Sequence, residues 1–214
     1  MMRTPPLGLR NRLAETILSA LGDPTARRDL QRVALSEDVD WMRDAPPEHA
    51  ALVRARARRA SEALAAWPLI SRSDPALPGR DERWGVWGAM SGPPMSLIAA
   101  LAGAAVLFDA GLHFEVHELL EPHWVSARGA ERQALQGLIQ IAVGFQHLAN
   151  GNLEGARSLL AEGCVRLRDG RLAGLDLDRF ADAVSGAGAG AVSGAASRLT
   201  DPGAVAVPPF PRTT

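Results

Sequence analysis

Imidazole and carboxylate side chains recur at helical spacing in the segment that follows His113. His117 and Glu121 are four residues apart with Glu118 between them, so a helix would bring all three toward one side. An imidazole and a carboxylate at this spacing can hold one metal ion or exchange a proton. These residues therefore predict a metal or acid–base site, although HELLE lacks the second histidine of the HExxH metalloprotease motif.

A second polar stripe is predicted on the helix at 130–150, which is apolar around most of its circumference. Gln136, Gln140 and His147 interrupt the apolar surface on one side. A helix that is apolar nearly all round is buried, and an unpaired polar group there costs about 1–3 kcal/mol. These side chains are therefore expected to find polar partners on a neighbouring helix.

The short connection SARGA predicts that the two helices form an antiparallel hairpin. Counting outward from the loop places Glu121 level with Gln136, and His117 level with Gln140. We therefore predict one buried polar cluster with two aromatic walls; its members are His117, Glu118, Glu121, Gln140 and His147, and its walls are Phe114 and Trp124. If a divalent metal binds as a cofactor, the expected ligands are His117, Glu118, Glu121 and His147.

Two interpretations of this cluster remain open at this point. In the first, the cluster is a metal-dependent, hydrolase-like site. In the second, which we favour, it is structural and the protein is a helical structural or protein-interaction module. The string HLANGNLEGARSLL is typical of helix–turn–helix joints in tetratricopeptide-type repeats, but only one such unit is present. Whether the protein is an enzyme is left undecided.

The hydrophobic periodicity predicts an all-α fold, a compact multi-helix bundle with a central antiparallel helical hairpin. We expect an N-terminal helical segment at 1–70, a Pro/Gly-rich linker at 71–94 and a helical domain at 95–214. The linker contains Trp84 and Trp87, which could pack on a helix or cover the cluster. Helices are predicted at 7–21, 24–43 with a possible break near Ser36, 47–67, 95–109, 111–124, 130–150, 152–168 and 176–199. Pro122 is expected to kink or end its helix near Glu118–Glu121.

Composition argues against several classes of protein. The formal net charge is −1 and the 23 basic residues, all arginine, are scattered, which disfavours nucleic acid as a partner. The most apolar stretch, 95–108, is shorter than the roughly 20 residues that a membrane-spanning helix needs. Cys164 is the only cysteine, so no intramolecular disulfide can form, and a cytoplasmic location is expected. A protein partner or a homo-oligomer is compatible with these features.

Three motifs in order resemble the helical family called domain of unknown function 309: FEVHELLEPHW (114–124), GLIQIAVGFQH (137–147) and GNLEGARSLL (151–160). The resemblance covers about residues 101–170 and implies an all-helical fold with no established activity. The family pattern singles out eight positions here: Glu115, His117, Glu118, Glu121, Trp124, Gln140, His147 and Asn152. His113 departs from the pattern and is not expected to be a site residue.

Overall fold

The described part of the chain consists of helices and their connections. The computed structural model describes residues 5–37, 39–68, 95–198 and 206–212, and only the backbone within 188–198. These ranges contain no strand, which confirms the all-α class. Their α-helices are α1 (Leu7–Ser19), α2 (Pro24–Ala34), α3 (Pro47–Ala65), α4 (Leu97–Asp109), α5 (His113–Ser126), α6 (Gly129–Ala149), α7 (Leu153–Asp169) and α8 (Leu177–Arg198).

Two compact units divide the described chain, residues 5–103 and residues 104–214. The predicted linker at 71–94, with Trp84 and Trp87, lies outside the described residues. The proposed division into segments 1–70, 71–94 and 95–214 therefore stays a prediction. No helix in the described ranges combines the length and apolarity needed to cross a membrane.

In residues 5–103, helices α1, α2 and α3 pack together around buried aliphatic side chains. Asp23 caps α2 by accepting a hydrogen bond from the Thr25 N–H at 2.7 Å, and Pro24 is the first helical residue. The predicted helix 24–43 ends at Ala34, because Ser36 adopts a left-handed conformation (φ 67°) that a continuing helix cannot accommodate. A short 3₁₀ turn at Asp40–Met42 follows.

In residues 104–214, α6 packs against both α5 and α7, and α7 packs against α8. Two glycines permit the α6–α7 contact. A Cβ atom on Gly163 would lie 2.9 Å from the carbonyl oxygen of Gly137, and a Cβ atom on Gly137 would lie 2.9 Å from that of Gly163. Such distances are shorter than van der Waals contact, so this crossing requires residues without a side chain.

Helix α5 differs from the sequence prediction in two respects. It continues through Pro122 to Ser126, so the proline does not end the helix. The spacing of His113 from His117 predicts that both lie on the polar side of the helix, but His113 is only 5% exposed and packs among aromatic rings, with its ring centroid 5.0 Å from Phe108 and 5.6 Å from Phe145. Spacing along one helix does not show that side chains of α4 and α6 cover its first residue.

Candidate functional site

Helix α5 places three potential ligand groups together at a half-exposed surface. The His117 Nδ1 atom is 3.3 Å from Glu118 Oε1, and its Nε2 atom is 3.8 Å from Glu121 Oε2. One ligand atom from each residue can be chosen so that all three lie within 4.8 Å of one another. The side chains of Glu118, His117 and Glu121 are 18%, 28% and 41% exposed, so solvent reaches the group.

These donors suit a borderline or hard divalent cation. Imidazole nitrogen and carboxylate oxygen are both common zinc ligands, at about 2.0–2.2 Å from the metal. Ligands that all come from one helix occupy one side of an ion and leave its other positions open. The Phe114 ring, 6.3 Å from the His117 ring, borders the group on one side. The arrangement can therefore hold a cation, and it is formed by His117, Glu118 and Glu121 without Gln140 or His147.

Gln140 instead joins α6 to α7. Its Nε2 atom donates to Glu162 at 3.0 Å, and its Oε1 atom accepts from Arg166 Nε at 3.0 Å. Arg166 also donates to Gln133 on α6 at 2.9 Å, and Ser158 donates to Glu162 at 2.9 Å. Both ends of the Gln140 amide are thus engaged, and the network fixes the register between the two helices.

His147 belongs to the turn between α6 and α7. Its Nδ1 atom is 2.7 Å from the Asn152 Nδ2 atom, and Asn152 caps α7 by accepting from the Gly155 N–H at 3.0 Å. A Cβ atom on Gly155 would lie 2.9 Å from His147 Nδ1, so glycine leaves room for the imidazole. The cap formed by Asn152 agrees with the role inferred from its position before the helix.

The structure therefore divides the sequence-predicted cluster. It brings His117, Glu118 and Glu121 together on α5, whereas the hydrogen bonds of Gln140 and His147 are made with α7 and its N-cap. Counting from the loop predicts the level of each residue along the helix axis but not the rotation of α6 about that axis. Gln140 and His147 make their hydrogen bonds with α7 and its N-cap, so these bonds do not join the stripes of α5 and α6 as predicted.

The predicted site residues described above lie in the segment of the chain that matches a known family. Residues 101–159 match the family model described as Domain of unknown function (DUF309). The match confirms the resemblance inferred from the three motifs, and its description carries no activity. Comparison with curated proteins and with solved structures produced no match.

Two more members of the DUF309 pattern have different surroundings. Glu115 is fully buried on α5, one of two buried polar side chains among the described residues. Trp124 stacks against the Arg132 guanidinium, whose carbon lies 4.3 Å from the ring centroid, and Arg132 donates to the Trp124 carbonyl oxygen at 2.8 Å. An arginine at this place satisfies carbonyl groups at the C-terminal end of α5. Burial lowers the pKa of the neighbouring His123.

Sequence reasoning missed a second group of interacting residues, which joins the DUF309 match to residues that follow it. Residues 206–212, which form no helix or strand, place Phe210 against the rings of Phe108 and Phe180. Asp109 accepts a hydrogen bond from the Phe210 N–H at 2.8 Å and pairs with Arg212. The sequence does contain a signal for this contact. The motif FDAG (108–111) carries an acid beside an aromatic residue, and the motif PPFPR (208–212) carries an aromatic residue and an arginine that could bind them.

Proposed function

We propose that the unit containing α5–α8 is a non-catalytic helical interaction module. The observation that carries the proposal is the engagement of Gln140 at both ends of its amide by α7. These contacts support a structural role, because they tie the Gln140 amide to two side chains of α7. Polar networks of this kind can specify one helix register within an apolar interface.

A divalent-cation site at His117, Glu118 and Glu121 is the second candidate. It is favoured by the convergence of three donor atoms within 4.8 Å and by their access to solvent. His147, included in the sequence-based ligand set, is not part of this candidate because it contacts Asn152. Hydrolytic chemistry would further require the ion to activate a water molecule beside a substrate pocket.

Metal analysis of the purified, untagged protein separates the two candidates. Wild-type protein, His117→Ala and Gln140→Ala would be compared by elemental analysis and by urea unfolding. The interaction module predicts no stoichiometric zinc, iron or manganese in any sample and a loss of stability that is larger for Gln140→Ala. Near-stoichiometric metal in the wild type that disappears in His117→Ala would refute the structural interpretation and support the cation site.

The partner that we propose for the module is a protein. The net charge of −1 provides no general attraction for nucleic acid. We also propose that the protein acts in the cytoplasm, because Cys164 is buried, is the only cysteine, and donates its S–H group to the Ala181 carbonyl oxygen. A reducing compartment preserves such a thiol.

A further inference from the structure

Residues 206–212, the C-terminal segment, form no helix or strand and lie against the corner where α4 meets α5. Phe210 is the anchor of this segment: it is 2% exposed, and its ring centroid lies 5.4 Å from that of Phe108 and 5.9 Å from that of Phe180. Pro211 is also buried. Buried aromatic side chains that fill an aromatic pocket commonly dominate the affinity of peptide segments.

Asp109 contacts the C-terminal segment through both of its carboxylate oxygens. Oδ1 accepts the main-chain N–H of Phe210 at 2.8 Å, and Oδ2 forms the ion pair with the Arg212 guanidinium. One carboxylate thus binds a main-chain donor that any extended peptide offers and a charged side chain that only some peptides have. This combination provides both general affinity and sequence selectivity.

Asp109 is in an unfavourable position as far as its own helix is concerned. It is the last residue of α4, where the helix dipole disfavours a negative charge and favours a positive one. The cationic partner in the C-terminal segment offsets this disadvantage. Residues that break a local rule of helix stability are often functional, so the carboxylate is better explained by what it binds than by α4.

A cavity of about 350 Å³ remains beside the C-terminal segment. Its walls are Phe108, Asp109, Gly111 and His113 on one side and Val207, Pro208 and Pro209 on the other. Ligand pockets typically enclose about 300–1,000 Å³. The chain's own segment, with small side chains before Phe210, therefore fills only part of the space at this corner.

We propose that the corner groove, formed by Phe108, Asp109, Gly111, His113 and Phe180, is a docking site for an extended segment of a partner protein. This segment carries an aromatic residue, an arginine two positions later, and a large apolar side chain three positions before the aromatic residue. The last of these takes the place of Val207 and fills the cavity that lies beside Val207 in this structure. In this structure the C-terminal segment of the chain itself occupies the groove, at the position proposed for the partner segment. This inference rests on the proposed interaction role and names its surface and partner.

The C-terminal segment is held in a way that allows a partner to replace it. Within the described residues, its main chain makes one hydrogen bond, from the Phe210 N–H to Asp109. Its arginine is 57% exposed, so that ion pair is weakened by solvent. The C-terminal segment competes with a partner segment for the groove at an effective concentration of about millimolar, so the partner segment must bind more tightly than the C-terminal segment does.

The proposal is tested by peptide binding to the full-length chain. The protein is the double variant Phe210→Ala, Arg212→Ala, whose own segment has lost its anchor and its charge. The probes are fluorescein-labelled AVPPFPR, which repeats residues 206–212, and AWPPFPR, in which tryptophan replaces the first valine. AVPPAPR is the matched control, and fluorescence anisotropy gives each dissociation constant.

We expect AVPPFPR to bind the double variant more tightly than it binds the wild-type chain, and AWPPFPR to bind more tightly still. AVPPAPR should not bind, and Asp109→Asn added to the double variant should weaken AVPPFPR binding about tenfold, because a charge-assisted contact is lost. Absence of peptide binding by a double variant that retains its helical circular dichroism would overturn the proposal. Arg212→Glu, a change at an exposed side chain, provides a second protein if the double variant does not fold.

Sedimentation velocity identifies the other possible occupant. A wild-type dimer that Phe210→Ala dissociates would place the segment of a second copy in the corner groove and would overturn the assignment to a partner protein. The metal analysis is independent of both experiments. Peptides that fail to bind a metal-free protein with a structural Gln140 network would therefore refute the corner groove and leave the interaction module in place.

Discussion

The close approach of α6 and α7 predicts opposite effects of alanine at two helical glycines. In α7, a Cβ atom on Gly163 would lie 2.7 Å from Ile141 Cγ1, 2.9 Å from the Gly137 carbonyl oxygen and 3.2 Å from the Ile141 nitrogen. Two of these neighbours are backbone atoms that cannot move without separating the helices. In α8, a Cβ atom on Gly186 would meet nothing within 4 Å.

The magnitude follows from two opposing effects. Alanine is favoured over glycine inside a helix by about 1 kcal/mol, and this gain applies at both positions. Overpacking a well-packed interface costs about 1–3 kcal/mol, and this penalty applies only at Gly163. We therefore expect Gly186→Ala to stabilise the protein by about 0.5–1 kcal/mol. At Gly163 two of the close neighbours are backbone atoms, so the penalty lies in the upper part of its range, about 2–3 kcal/mol, and Gly163→Ala should destabilise the protein by about 1–2 kcal/mol.

Urea unfolding followed by circular dichroism measures both changes, and hydrogen exchange of the α7 amides assigns the effect to the unit formed by residues 104–214. Gly186→Ala is the control for the change in helix propensity alone. A Gly163→Ala protein as stable as the wild type would show that α6 and α7 do not approach each other at Gly137. The register of the Gln140 network would then have to be abandoned as well.

Three further predictions concern the polar residues of the second unit. Gln140→Ala should lower the free energy of unfolding by about 1 kcal/mol, because it removes two hydrogen bonds between α6 and α7. In the same urea assay Gln146→Ala, which removes an exposed hydrogen bond at the end of α6, should change it by less than about 0.5 kcal/mol. Equal losses of stability in the two variants would contradict a structural role of the Gln140 network. Asn152→Ala should lower the free energy of unfolding by about 1 kcal/mol, and Asn152→Asp should lower it much less, since aspartate also caps helices. Equal thermal stability of the two variants would show that the cap is unimportant. Because burial lowers the pKa of His123, the folded state binds fewer protons at this residue than the unfolded state does. Its stabilising contribution is therefore present above about pH 6.5 and falls as the pH decreases toward the folded-state pKa. His123→Gln should flatten that part of the profile of urea stability against pH, and an unchanged slope would argue against a buried neutral imidazole.

The helices could be predicted from sequence because periodicity and capping residues act locally. Asn152, for example, determines the start of α7 through a bond to Gly155, three residues away. The glycine-rich helix was predicted at 176–199 and occurs at Leu177–Arg198. Of the two outcomes predicted for Pro122, the end of the helix is not observed, because α5 continues to Ser126; a kink stays a prediction.

The partners of the polar side chains could not be predicted in the same way. A heptad separates Gln140 from His147, so both lie on one side of α6, but no local rule says whether that side faces α5 or α7. The choice depends on close contact at Gly137 and Gly163, which are 26 residues apart in sequence. Intervals of this kind are visible only once the helices are assembled.

The DUF309 match ends before the residues that complete the polar contacts of its own helices. The match stops at residue 159, yet the two partners of Gln140 are Glu162 and Arg166, which follow it. Likewise, Asp109 lies inside the match and is bound by Arg212 near the end of the chain. Residues 101–159 alone would leave these side chains without their partners, and Gln140 would face solvent instead of α7. The structural unit that can hold a partner segment is therefore the larger one, residues 104–214, in which both the register of α7 and the corner groove are complete.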